Sequence, residues 1–143
     1  MANTANFSIY YKARIVKAIG TGTRYLAAFG VTSTGQTPAA PTSATLSNTT
    51  RHASTLFKIT HGFIAFNSHP TVYATVGAQT VNSAASDQLT IPASTIVHYV
   101  GIAVTTTSTL LTYVALTTPD TNYYYEEVGT LTIPSGGYTI RHA

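Results

Sequence analysis

The chain has 143 residues, 44% of them hydrophobic, with a formal net charge of +3. That fits one domain with a real core and excludes a disordered chain. Only 8% of residues are charged and none is cysteine, against about 25% charged in an average soluble domain, which excludes disulfides, thiolate chemistry and a dense phosphate-binding patch.

In chain order, a helix is expected over residues 6–19. Phe7, Tyr11, Ile15 and Ile19 recur every four residues, Asn6 is placed to cap the start, and Gly20 sits where a C′ glycine belongs. The same stretch also alternates, but Lys-Ala-Arg and Lys-Ala favour helix. Arg24 to Thr32 reads as the first strand. Residues 34–48 (TGQTPAAPTSATLSN) read as an extended surface loop, either a disordered linker or an arm laid across a neighbouring subunit. Ser54 to Phe66 holds one or two strands, with Gly62 as a candidate bulge. Thr71 to Gln79 is expected as one strand, and Asp87 to Ile91 as another that Pro92 closes. Val97 to Thr105 and Leu110 to Leu116 read as a central hairpin. Tyr123 to Val128, Leu131 to Ile133 and Tyr138 to Ile140 finish the chain, the last two separated by the Pro134–Gly137 turn. The fold class expected is all-β: a single domain over residues 1–143, a β-sandwich or jelly roll of about eight short strands with one N-terminal helix. The tetrapeptide LTIP occurs at Leu89 to Pro92 and again at Leu131 to Pro134, which reads as two strands ended by the same device.

Part of this order is shared with a known group. Val81-Asn82-Ser83-Ala84-Ala85, Leu89 to Ala93, and Thr95-Ile96-Val97-His98-Tyr99-Val100-Gly101-Ile102 follow one another closely. Leu110 to Pro119 and Gly129 to Gly137 complete the series. It resembles small tailed-phage virion structural proteins, labelled tail-fibre-like or decoration-like, which carry V-T-H-x-G-I and a terminal G-D-T-L-T-I-P-x-G. The likeness spans roughly residues 81–140. The chain departs from the pattern at Ala103, at Thr130 and in the added stretch from about His61 to Gln79. The resemblance implies a virion component. Its motifs are strand cores and turn residues, with no catalytic signature among them.

The residues themselves argue in the same direction. Thr, with 28 copies, and Tyr, with 10, take the place of charges, and such hydroxyl-rich surface costs less to desolvate against a neighbour. Six basic residues (Lys12, Arg14, Lys17, Arg24, Arg51, Lys58) precede every acid, of which there are four: Asp87, Asp120, Glu126 and Glu127. The basic N-terminal part is expected to meet an acidic surface, its own or a partner's. The five histidines show no metal-ligand spacing, and His98 reads as a satisfied residue on a half-buried strand. Glu126 and Glu127 are adjacent, so on a strand they point to opposite faces and do not make a glycosidase pair. No catalytic residue, cofactor or metal is expected, and the chain is read as non-enzymatic. Tyr123-Tyr124-Tyr125 combines large apolar area with hydroxyls, as interface hot spots do; an ordinary strand would instead put one ring in the core and two outside.

The start, MANTANFS, lacks the features of a signal peptide, and no apolar run reaches the roughly 20 residues of a membrane helix. The expectation is a capsid decoration (cement) protein on the virion surface, made in the host cytoplasm. It would act as a homo-oligomer, a trimer by analogy, on the major capsid protein, with no nucleic-acid or membrane partner. Lys12, Arg14, Lys17, Tyr123, Tyr124, Tyr125, Glu126 and Glu127 are the interface candidates. The alternatives are a tail or tail-fibre component that contacts host receptor, and a carbohydrate-binding module.

Overall fold

A computed structural model describes residues 8–74, 77–116 and 123–143. Among these, one N-terminal helix and ten strands in antiparallel sheets make an all-β, sandwich-like fold. Helix α1 spans Ile9–Gly20. Its cap is Ser8 and not Asn6, which lies outside the described residues; the Ser8 hydroxyl accepts the Tyr11 N–H at 3.2 Å. The buried stripe is also rotated from the expected one. Val16 is fully buried and Ala13 and Ile19 flank it, while Tyr11 is half exposed. Spacing of three serves burial as well as spacing of four, and a stripe that includes Ala13 lets the helix lie close. Gly20 is the last helical residue and not the C′ position; a Cβ there would lie 3.0 Å from the Phe66 Cβ. Arg24 closes the helix instead, donating from Nε to the Ile19 carbonyl at 2.6 Å and from Nη2 to that of Ala18 at 3.1 Å. These carbonyls have no partner inside the helix, and a cation suits that end.

The main sheet joins β1 (Arg24–Val31), β2 (Phe57–Ile64), β6 (Thr95–Ala103) and β7 (Leu110–Ala115) in the order β2-β1-β6-β7, with β8 (Tyr124–Tyr125) paired to the start of β6. The stretch expected as one strand from Thr71 is two, β3 (Thr71–Tyr73) and β4 (Gly77–Val81), which pair antiparallel. Ala74 takes φ 55 at the break, a left-handed conformation that ends an extended run. Strand β10 (Thr139–His142) pairs with the other edge of β4. Strands β5 (Leu89–Ile91) and β9 (Gly129–Leu131) form a separate pair. The two LTIP copies therefore meet, Leu89 opposite Leu131, and Ser86 extends the pairing by bonding both the N–H and the C=O of Ile133 at 2.9 Å.

The strand β1 is buried on both faces. On one, Leu26 and Ala28 join Val100, Ile102, Val16 of the helix, Leu89, Ile91 and Ile140 in the larger core. On the other, Ala27 and Phe29 join Leu46, Leu56 and Ala103. Leu46 belongs to the 34–48 stretch, where a 3-10 turn (Ser43–Ser47) carries it to zero exposure. That stretch is thus no free linker: its 3-10 turn covers part of the sheet's second face. Hydrogen bonds from the Leu110 N–H to Ser43 Oγ (3.0 Å) and from the Lys58 N–H to the Asn48 carbonyl (2.8 Å) hold it there. The β1–β2 bulge falls at Ile59 and not at Gly62, which stays in register opposite Leu26. A Cβ at Gly62 would meet the Leu89 Cδ2 at 2.8 Å, so close packing is what this position serves.

Candidate functional site

The terminal Pro134–Gly137 turn is pinned by one buried side chain. Asn82, 1% exposed, donates to the carbonyls of Ala84 (2.9 Å) and Pro134 (2.8 Å) and accepts the Tyr138 N–H (2.9 Å). Its carbonyl accepts the Gly136 N–H at 3.0 Å. In β6, a Cβ on Gly101 would come within 2.8 Å of Leu110 and of the Thr112 carbonyl, so the V-G-I segment needs glycine to seat β7. These motif residues build architecture, and a functional surface has to be sought elsewhere.

Of the six early basic residues, three are used internally. Arg24 closes the helix. Arg51 donates to Thr95 Oγ1 (3.1 Å) and the Ala93 carbonyl (3.2 Å), with its guanidinium over the Phe57 ring. Lys58 is buried, donates to the Thr106 carbonyl, and has its pKa lowered by burial. The expected basic half is therefore not one basic surface, because composition counts charges without showing which are folded inward. Lys12, Arg14 and Lys17 remain on α1, with Lys12 half buried and the other two exposed. Arg14 and Lys17 line a groove of about 680 Å³ between α1 and Pro70, together with Tyr10, Ala13 and Ala18. The Arg14 guanidinium lies 5.8 Å from the Tyr10 ring centroid, and that ring is 72% exposed.

The tyrosine run alternates, with the opposite parity to an ordinary one-in, two-out strand. Tyr123 and Tyr125 pack against the larger core and Tyr124 faces outward. Tyr125 donates its hydroxyl to the Thr130 carbonyl at 3.3 Å, and burial raises its pKa, with a smaller contribution from Tyr123. Glu126, Glu127 and Val128 follow as an exposed turn, Val128 at 68%. The sequence candidates thus form two patches. Strand β8 pairs with Thr95 and Ile96 at the start of β6, whereas Arg24 at the helix end begins β1 beside Ala103 at the finish of β6. Those two ends of the strand are roughly 26 Å apart.

Sequence reasoning missed several exposed apolar side chains, among them Tyr113 and Val114 on the edge strand β7, Val72 on β3, and Phe63 on β2, whose ring centroid lies 5.0 Å from that of Tyr25 on β1. The run Leu110 to Ala115 has no charge and no proline, the devices that blunt a sheet edge, and that was the available signal. No cluster of three His, Asp or Glu residues that would hold a metal occurs among the described residues. No described helix is long and apolar enough to cross a membrane. No family model, no curated protein and no solved structure matches the chain.

Proposed function

We propose that this chain is a structural protein of a bacteriophage virion, a decoration (cement) protein that binds the outer surface of the major capsid protein lattice. The observation that carries the reading is the kind of surface the fold exposes. Beside a few charged residues it exposes a set of large aromatic and aliphatic side chains (Tyr10, Tyr11, Phe63, Val72, Tyr113, Val114, Tyr124, Val128) in a chain with 7 basic and 4 acidic residues. Charge is what keeps a free-standing domain apart from its neighbours, and apolar area is what a permanent contact uses. The likeness of residues 81–140 to tailed-phage virion proteins supports the same conclusion. The mechanism is passive: a subunit that spans neighbouring shell proteins adds interface area that must be broken before they separate. A standard contact takes about 800 Å² per partner, roughly a tenth of the 7958 Å² surface, so one copy has room to bridge several subunits.

The test is binding of the purified chain to emptied, expanded capsids stripped of decoration, alongside host-envelope glycans and isolated tails. Saturable binding to shells, with a raised disruption temperature, is the expected result. Binding to glycans alone, or to tails alone, would overturn it in favour of a carbohydrate-binding or a tail-fibre role.

A further inference from the structure

We infer that a second copy of this chain seats its Glu126–Val128 turn in the groove beside α1, so that copies associate head to tail. The argument is an accounting of charges. Arg24, Arg51 and Lys58 are held by their own chain's carbonyls. Arg141 lies 4.2 Å over the Tyr73 ring and donates to Gln79 at 2.9 Å. Lys12, Arg14 and Lys17 of α1 remain; of these, Arg14 and Lys17 are exposed and line the groove, three residues apart and therefore neighbours in space, with Arg14 also donating to the exposed Tyr10 hydroxyl at 3.5 Å.

The acids divide in the same way. The Asp87 carboxylate accepts the Phe63 N–H at 2.9 Å, and Asp120 lies outside the described residues. Glu126 and Glu127 remain, exposed and adjacent, with exposed Tyr124 and Val128 on either side. Among the described residues, neither glutamate forms an ion pair with Arg14 or Lys17 of its own chain. Two exposed cations beside Tyr10 and two alanines match two exposed anions beside a tyrosine and a valine, in number, sign and apolar surround. Complementary charge of this sort fixes register and suppresses wrong partners. Because the two patches differ, the contact is heterologous and closes into a ring when its rotation allows; a trimer is one such ring. The contact stands apart from the shell reading, since it is measured on the purified chain alone.

The experiment is sedimentation of the full chain at low ionic strength, using wild type, R14E/K17E, E126K/E127K and the combined four-site variant. The wild type is expected to associate, and each double variant to associate at least about tenfold more weakly. Combining all four changes in one chain should restore association to within about threefold, because each pair of opposite charges is re-formed, whereas mixing the two doubles should restore pairing between unlike chains but leave one like-charged contact in any odd-membered ring. A monomeric wild type would overturn the inference, as would double variants that associate like wild type. So would a mixture of folded double variants that stays monomeric. Loss of shell binding by R14E/K17E in a protein that is monomeric throughout would assign the groove to the shell and also overturn it.

Discussion

Asn82 and Tyr138 face each other across the last turn of the chain, and both are buried with their polar atoms bonded. Replacing Asn82 by Leu leaves the Ala84 and Pro134 carbonyls and the Tyr138 N–H without their side-chain partner. A buried group so left costs about 1–3 kcal/mol, so Asn82→Leu is expected to lower stability by about 3 kcal/mol or more. The check is a fall in the urea midpoint at unchanged slope. Burial pushes the Tyr138 pKa up to about 12, opposed by its 2.8 Å hydrogen bond with Thr112. The folded state therefore keeps this proton at a pH where the unfolded chain, near pKa 10, has lost it. The resulting stability is fully present below pH 10 and is lost as pH rises through 12, by about 2.7 kcal/mol in all. Tyr138→Phe should flatten that alkaline slope, read from urea midpoints between pH 9 and 12. Nothing local marks Asn82 in the sequence as a hub, because its partners are up to 56 positions away.

The 34–48 stretch behaves as an element although it is almost free of regular structure. Its composition of Thr, Ser, Pro and Gly is that of a loop, and buried Leu46, with Pro41 also buried, makes it a cover for Phe29, Leu56 and Ala103. Leu46→Ala is expected to cost about 2–5 kcal/mol. Hydrogen exchange should show residues 34–48 opening first, before the main sheet. Uniform slowing or uniform loss of protection across the whole chain would argue that the stretch is not a separate cover. The strand pattern was more legible. Nine-residue β6 and eight-residue β1 are mostly apolar because most of their positions are buried on both faces, and such stretches announce central strands. The break at Ala74 was not legible, since alanine carries no turn signal and its φ of 55 is imposed by the pairing of β3 with β4.

At the scale of the whole molecule, the question is what a charge-poor sandwich gains from its exposed rings. Tyr124 lies outside the core while its two neighbours pack into it, so it can be removed without touching the fold. Tyr124→Ala is expected to leave the thermal midpoint within about 2 °C of wild type, as surface changes do. Self-association or shell affinity should fall by about 2 kcal/mol, roughly thirtyfold, as for an interface hot spot. Sedimentation and shell-binding isotherms of the same preparation separate the two. Unchanged values in both would remove Tyr124 from the interface.

Sequence by itself determined the fold class, the N-terminal helix, the β6–β7 hairpin and the identity of the residues that carry charge, although β7 is an edge strand and not a central one. Those follow from periodicity, turn chemistry and composition, which are local and survive without knowledge of neighbours. Only the tertiary structure decided which charges are held by backbone carbonyls and which line the groove. Arg24, Arg51 and Lys58 look no different in the sequence from Arg14 and Lys17, yet three are bonded to backbone carbonyls and two line an open groove. The reason is physical: a guanidinium or ammonium takes whatever acceptor the fold brings within about 3 Å, and most such acceptors are distant in the chain.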